Sequence, residues 1–77
     1  MYDSKEVGKR IKELRKQKRM TQDELADVFK TESSSLCKIE KGSHTMSIDY
    51  LISFADYFGV SVDYLLNGES VVDDEIS

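Results

Sequence analysis

Seventy-seven residues, 39% hydrophobic and 34% charged, with four Gly and no Pro, make one small domain that lacks room for a catalytic cleft with a separate substrate lobe. No apolar run approaches the roughly 20 residues of a membrane span, the opening "MYDSKEVGKR" is polar throughout, and a lone Cys builds no disulfide framework, so the expected setting is the reducing cytoplasm. The net charge of -4 argues against a nucleic-acid partner until its distribution is seen: residues 1–20 carry eight Lys/Arg against three Asp/Glu, and residues 41–77 carry one against seven. Such a basic pole is either a solvated helix face or the footprint of a DNA-binding edge.

The first helix is expected to start after Asp3 or Ser4, either of which can accept the free N–H groups of an opening turn. Val7, Ile11 and Leu14 give it a narrow apolar stripe, with Lys and Arg over most of its remaining surface, and it should fade near Lys18 or Arg19. "TQDELADVF" opens a second helix with a capping box, Thr21 and Glu24, ahead of Leu25, Val28 and Phe29 on one face. "TESSSLCKIEKG" reads as a third helix that stops at Gly42. At about 100° per residue, Leu36, Ile39 and Glu40 fall on one side, and Ser34, Lys38 and Lys41 on the other, with Ser33 at the tip and Ser35 and Cys37 on the flanks. Ser47 caps a fourth helix, with Ile48, Leu51, Ala55 and Phe58 pointing inward and Tyr50, Phe54 and Tyr57 as a lateral band. A short fifth helix, "SVDYLL", ends at Asn67-Gly68, and "ESVVDDEIS" after it is acidic and aperiodic, a tail. Short connections and the absence of strand alternation predict an all-α domain over residues 1–68 and a separate acidic segment over 69–77.

Only the short "KTE" separates the second and third helices, which is the spacing of a helix-turn-helix. Around it, "IKELRKQKRMTQDELA", "SSLCKIEKG" and "SIDYLISFADYFGVSVDYLLNG" resemble the Cro/CI-type (Xre-like) helix-turn-helix family of phage and bacterial transcriptional repressors over roughly residues 7–68. The resemblance implies a compact five-helix repressor-like DNA-binding domain whose third helix enters the major groove while the second crosses the backbone. It also implies a homodimer on a near-palindromic operator. Carried onto this sequence, Ser33, Ser34 and Lys38 take the base-reading positions and Ser35 a neighbouring one, while Gln22 takes the position that grips a phosphate. Backbone contacts would also come from Thr21, Lys41, Ser43 and Thr45. Arg15 and Glu40 occupy the positions that the family joins in a partly buried ion pair, and Val62, Tyr64, Leu65 and Leu66 those of a dimer interface.

The residues support part of this independently. Lys38, on the face that the apolar stripe leaves outside, is the only long cation at a reading position, able to reach guanine O6 and N7 but without the fork of Arg. Serine hydroxyls meet any base edge with little preference. Three departures from the family pattern stand out: Glu32 at the N-cap of the third helix, where Thr31 could take over; Met46 in place of a loop Pro; and Arg19 at a turn position often held by Gly or Asn. His44 and Cys37 are each isolated, the glycines are scattered, and the carboxylates Asp73, Asp74 and Glu75 fall in the tail, so no metal, cofactor or enzymatic activity is expected. Two other readings stay open: an antitoxin or other protein-binding module on the same fold, and an acidic tail that competes with DNA for the basic face.

Overall fold

The computed structural model describes residues 3–44 and 46–68, and these build five helices with no strand among them. The helices are α1 (Ser4–Gln17), α2 (Gln22–Val28), α3 (Ser33–Lys41), α4 (Ile48–Phe58) and α5 (Val62–Asn67). The acidic segment 69–77 lies outside the described residues.

Local chemistry sets most helix boundaries. The Asp3 carboxylate accepts from the N–H groups of Lys5 and Glu6. Thr21 Oγ1 accepts from Glu24 N–H while Thr21 N–H donates to the Glu24 carboxylate, a complete capping box. Ser47 and Ser61 cap α4 and α5 by the one-way bond alone, each hydroxyl oxygen accepting from the N–H of Tyr50 or Tyr64. Glu32 does stand at the N-cap of α3, without a side-chain cap hydrogen bond, so Thr31 does not take over and Ser33 is the first helical residue.

The C-termini divide into two groups. α3 and α5 stop at Gly42 and Gly68 in the left-handed region, as the sequence leads one to expect, and α4 stops in the same way at Gly59. α1 and α2 make the same turn without glycine: Arg19 (φ 59°) and Lys30 (φ 55°) are left-handed, and the following N–H groups of Met20 and Thr31 reach back to the carbonyls of Arg15 and Ala26. A left-handed L-residue costs about 1–2 kcal/mol, whereas glycine there loses about 0.5–1 kcal/mol of chain entropy on folding. Lys30→Gly should therefore raise the thermal midpoint by a few degrees, roughly 0.5–1 kcal/mol of added stability. A lower midpoint would show that Lys30 makes a compensating interaction.

The core collects Val7, Ile11 and Leu14 of α1, Leu25 and Ala26 of α2, Leu36 and Ile39 of α3, Leu51, Phe54 and Ala55 of α4, Leu65 of α5 and Met46 from the α3–α4 loop. Assignments from the helical periodicity change on two helices, α4 and α2. On α4 the fully buried ring is Phe54, and Phe58 is half-buried, whereas Ile48 is 59% exposed. Ile48 opens the helix, at the edge of an arc centred between Leu51 and Phe54, so nothing lies above it. Val28 is 46% exposed for the same reason at the end of α2. The Phe29 ring instead turns inward and stacks on Phe54, with centroids 4.2 Å apart, joining α2 to α4.

α1 and α3 approach each other closely at Gly8. Gly8 is buried there, and a Cβ on it would overlap the Ile39 carbonyl oxygen and lie 2.6 Å from that of Glu40. A side chain at this position would hold the two backbones apart.

Candidate nucleic-acid interface

α3 is fastened from below and open above. Leu36 is fully buried and Ile39 and Glu40 nearly so, while Ser34, Lys38 and Lys41 are exposed. Ser33 and Ser35 are half-buried on the flanks, as is the free thiol of Cys37. The outward face thus presents one hydroxyl group and two cations, with no bulky apolar side chain to block a close approach. Ser34 Oγ lies 3.5 Å from the Glu32 carboxylate, a long contact that a base edge or phosphate can replace.

A buried polar network fixes the helix. Arg15 Nε donates to Glu40 Oε2 at 2.7 Å and Arg15 Nη2 to Glu40 Oε1 at 3.1 Å, a two-point contact between side chains that are 10% and 3% exposed. Arg15 Nη1 donates to the Met20 carbonyl at 2.7 Å, so the same guanidinium ties down the turn after α1. The fourth member is Gln22, whose Nε2 donates to Glu40 Oε1 at 3.0 Å. Gln22 is half-buried at the start of α2, and its amide is oriented by Glu40, which leaves one N–H and the carbonyl oxygen available. Nothing in the spacing of the sequence announces this link between Gln22 and Glu40.

The remaining candidate backbone contacts are placed unevenly. Thr21 is exposed, but its Oγ1 already accepts the Glu24 N–H of the capping box, so only its O–H can be given away. Lys41 is exposed at the end of α3. Ser43 is exposed too, but its N–H is held by the Lys38 carbonyl at 2.9 Å in the turn that Gly42 makes, so the hydroxyl is its free donor. Thr45 lies outside the described residues.

The expected dimer residues separate as well. Leu65 is fully buried in the monomer core and has no surface to offer, because α5 must close the domain against α1. Val62, Tyr64 and Leu66 are half-buried against the same core. Arg10, one of the cations of the basic pole, also serves this closure: its Nη1 donates to the Leu65 carbonyl at 2.9 Å.

Two short helices set at this spacing, with the second anchored by its inner face and open on its outer one, constitute a helix-turn-helix, and the sequence matches the family described as a helix-turn-helix domain over residues 8–71. The chain belongs to the helix-turn-helix family. It is of the Cro/CI-like, Xre type, and its relatives include phage and bacterial regulators. It is 32% identical over 69 residues to the immunity repressor protein of Bacillus phage phi105, covering 90% of this chain and 48% of that protein. It is 38% identical over 60 residues to YqaE of Bacillus subtilis (strain 168), an HTH-type transcriptional regulator that is itself uncharacterized, covering 78% and 52%. ImmR, another HTH-type transcriptional regulator of that strain, is 32% identical over 65 residues, with 84% and 51% covered. The chain thus spans about half the length of these relatives. Among solved structures, the S. venezulae BldD DNA-binding domain superposes with a TM-score of 0.72 at 21% identity, over 83% of this chain and 96% of that one, which shows a shared helix-turn-helix fold. No helix among the described residues is long and apolar enough to cross a membrane.

Proposed function

We propose that this helix-turn-helix chain is a sequence-specific double-stranded DNA-binding transcriptional regulator, a repressor that acts as a homodimer on a near-palindromic operator in the cytoplasm, with no cofactor and no catalytic step. The observation that carries this reading is the pairing of a rigidly seated α3 with an outer face of small hydroxyl and cationic groups. Lys38 donates to guanine O6 or N7 in the major groove, Ser34 meets an adjacent base edge, and Ser33 and Ser35 follow the groove walls. Gln22 gives its remaining N–H to a phosphate, and Lys41 with the hydroxyls of Thr21 and Ser43 extends that anchoring. Val62, Tyr64 and Leu66 supply the dimer contact.

Titration of the protein with duplexes of operator length at two salt concentrations tests this reading. Affinity should depend on sequence and fall steeply with salt; indifference to both would overturn it. In the same assay Gln22→Ala should weaken all duplexes by a similar factor and leave the salt slope nearly unchanged, as expected for a phosphate contact made by a neutral amide that displaces no counterion. A changed base preference would instead make Gln22 a reader.

A further inference from the structure

The eight cations of the basic pole do not form one surface. Arg15 is sealed in the Glu40 network, Arg10 holds the Leu65 carbonyl and pairs with Glu6, and Lys18 lies over the Tyr57 ring, 5.3 Å from its centroid. Arg19 stands at the left-handed turn. The four that remain, Lys5, Lys9, Lys12 and Lys16, are all exposed and are spaced i, i+4, i+7 and i+11 along α1. At about 100° and 1.5 Å per residue they stack within a sector of about 60° over a length of about 16 Å.

This row flanks the reading helix. On α1, Gly8 and Arg15, which meet α3, lie between the core stripe and the lysines. On α3, Glu40, which meets α1, lies between the core residue Leu36 and the exposed Lys41. The row and the outer face of α3 are therefore on the same side of the α1–α3 seam, opposite the core. Continuity is direct at one end, where Gly42, next to Lys41, packs against Lys5: a Cβ on Gly42 would lie 2.6 Å from the Lys5 Cα.

A solvated helix face ordinarily mixes signs, with Glu placed to offset Lys at i+4. Here like charges are stacked at i+3 and i+4, and none of the four lysines has a carboxylate partner among the described residues. In a chain of net charge -4, such a strip fits a polyanion with regularly spaced charges that already lies against Lys38 and Lys41.

We infer that Lys5, Lys9, Lys12 and Lys16 form a phosphate-binding strip that grips the DNA backbone beside the groove entered by α3. The inference rests on the DNA-binding reading above and adds to it a second contact that carries no sequence information. It assigns α1 a positioning role and accounts for the way so sparse a reading face can hold DNA.

The test uses the triple variant Lys9→Gln/Lys12→Gln/Lys16→Gln, at exposed sites where Gln keeps helix propensity. Lys5 is left intact because its backbone packs on Gly42. Binding is measured between about 50 and 200 mM salt to a duplex selected by the wild-type chain and to a scrambled duplex of the same length. Affinity for both should fall by the same factor, the log–log salt slope should shrink by about 0.9 per lost phosphate contact, hence by about 2–3, and the selected sequence should stay the same. A wild-type slope in the variant would overturn the inference while leaving the DNA-binding reading intact. The strip would equally be misassigned if the slope held while binding to phosphatidylserine vesicles was lost. Absence of DNA binding by the wild-type chain would overturn both readings.

Discussion

Glu40→Ala is expected to cost about 3–5 kcal/mol of folding stability, as much as truncating a large core side chain. The carboxylate accepts from Arg15 at two points and from Gln22, inside a junction where it is 3% exposed. Truncation leaves the Arg15 guanidinium desolvated with only the Met20 carbonyl as a partner. For a domain of this size the loss lowers Tm by at least about 12 °C. Arg15→Ala should behave alike, and replacing both residues with apolar ones of similar volume should recover much of the stability, because breaking a buried pair costs more than removing it whole. Thermal unfolding of the two single variants and the double variant checks this. A Glu40→Ala protein that melts with the wild type would mean that water reaches the junction and screens the pair.

Gly8→Ala ranks next, and here two effects of opposite sign compete. In an exposed helix interior the change stabilises by about 0.5–1 kcal/mol, since alanine is the better helix former. At Gly8 the new methyl meets backbone carbonyls of Ile39 and Glu40, which cannot rotate away as a side chain could. Overpacking costs about 1–3 kcal/mol and reaches its upper range where rigid backbone is the neighbour, so the clash wins. A net loss of about 2 kcal/mol or more is expected in denaturant titration, together with weaker DNA binding, because parting α1 from α3 also moves the Arg15–Glu40 junction. An unchanged or higher midpoint would show that the helices adjust at little cost.

Much of the architecture is legible in the residues because short-range chemistry decides it. Thr21 with Glu24, Ser47, Ser61 and Gly42 mark their boundaries by side-chain hydrogen bonds or by backbone freedom, and these act within four residues. What the residues conceal depends on neighbours distant in the chain. Lys30 gives no sign that α2 will end in a left-handed residue, since the Thr31 N–H to Ala26 carbonyl bond stabilises a conformation that lysine does not itself favour. Gly8 sits in a helical run where a wheel shows only a gap, and its purpose appears when α3 crosses it. Ile48 and Phe54 exchange roles because periodicity identifies an arc but not which end of a helix the core covers. At the interface, the outward direction of Ser34 and Lys38 follows from the stripe of Leu36 and Ile39, whereas the Gln22 bond to Glu40 and the separation of the basic pole into engaged and free cations require the packed domain.

These features give one physical picture. A charged junction at Arg15, Glu40 and Gln22 sets the pose of α3 against α1 and α2, the outer face of α3 stays small, and the proposed readout rests on few groups. With one long donor among the reading positions, much of the discrimination should come from DNA shape and half-site spacing.

The most direct measurement is the selection of bound duplexes from a random pool by the wild-type chain and by Lys38→Ala in parallel. The wild type should enrich a defined two-fold motif, and the variant should lose preference at one position in each half-site, at a cost of about 1–3 kcal/mol against the best sequence, while keeping the half-site spacing. Recovery of the same motif with the same strength at every position by the Lys38→Ala chain would contradict the assignment of α3 as the helix that reads DNA.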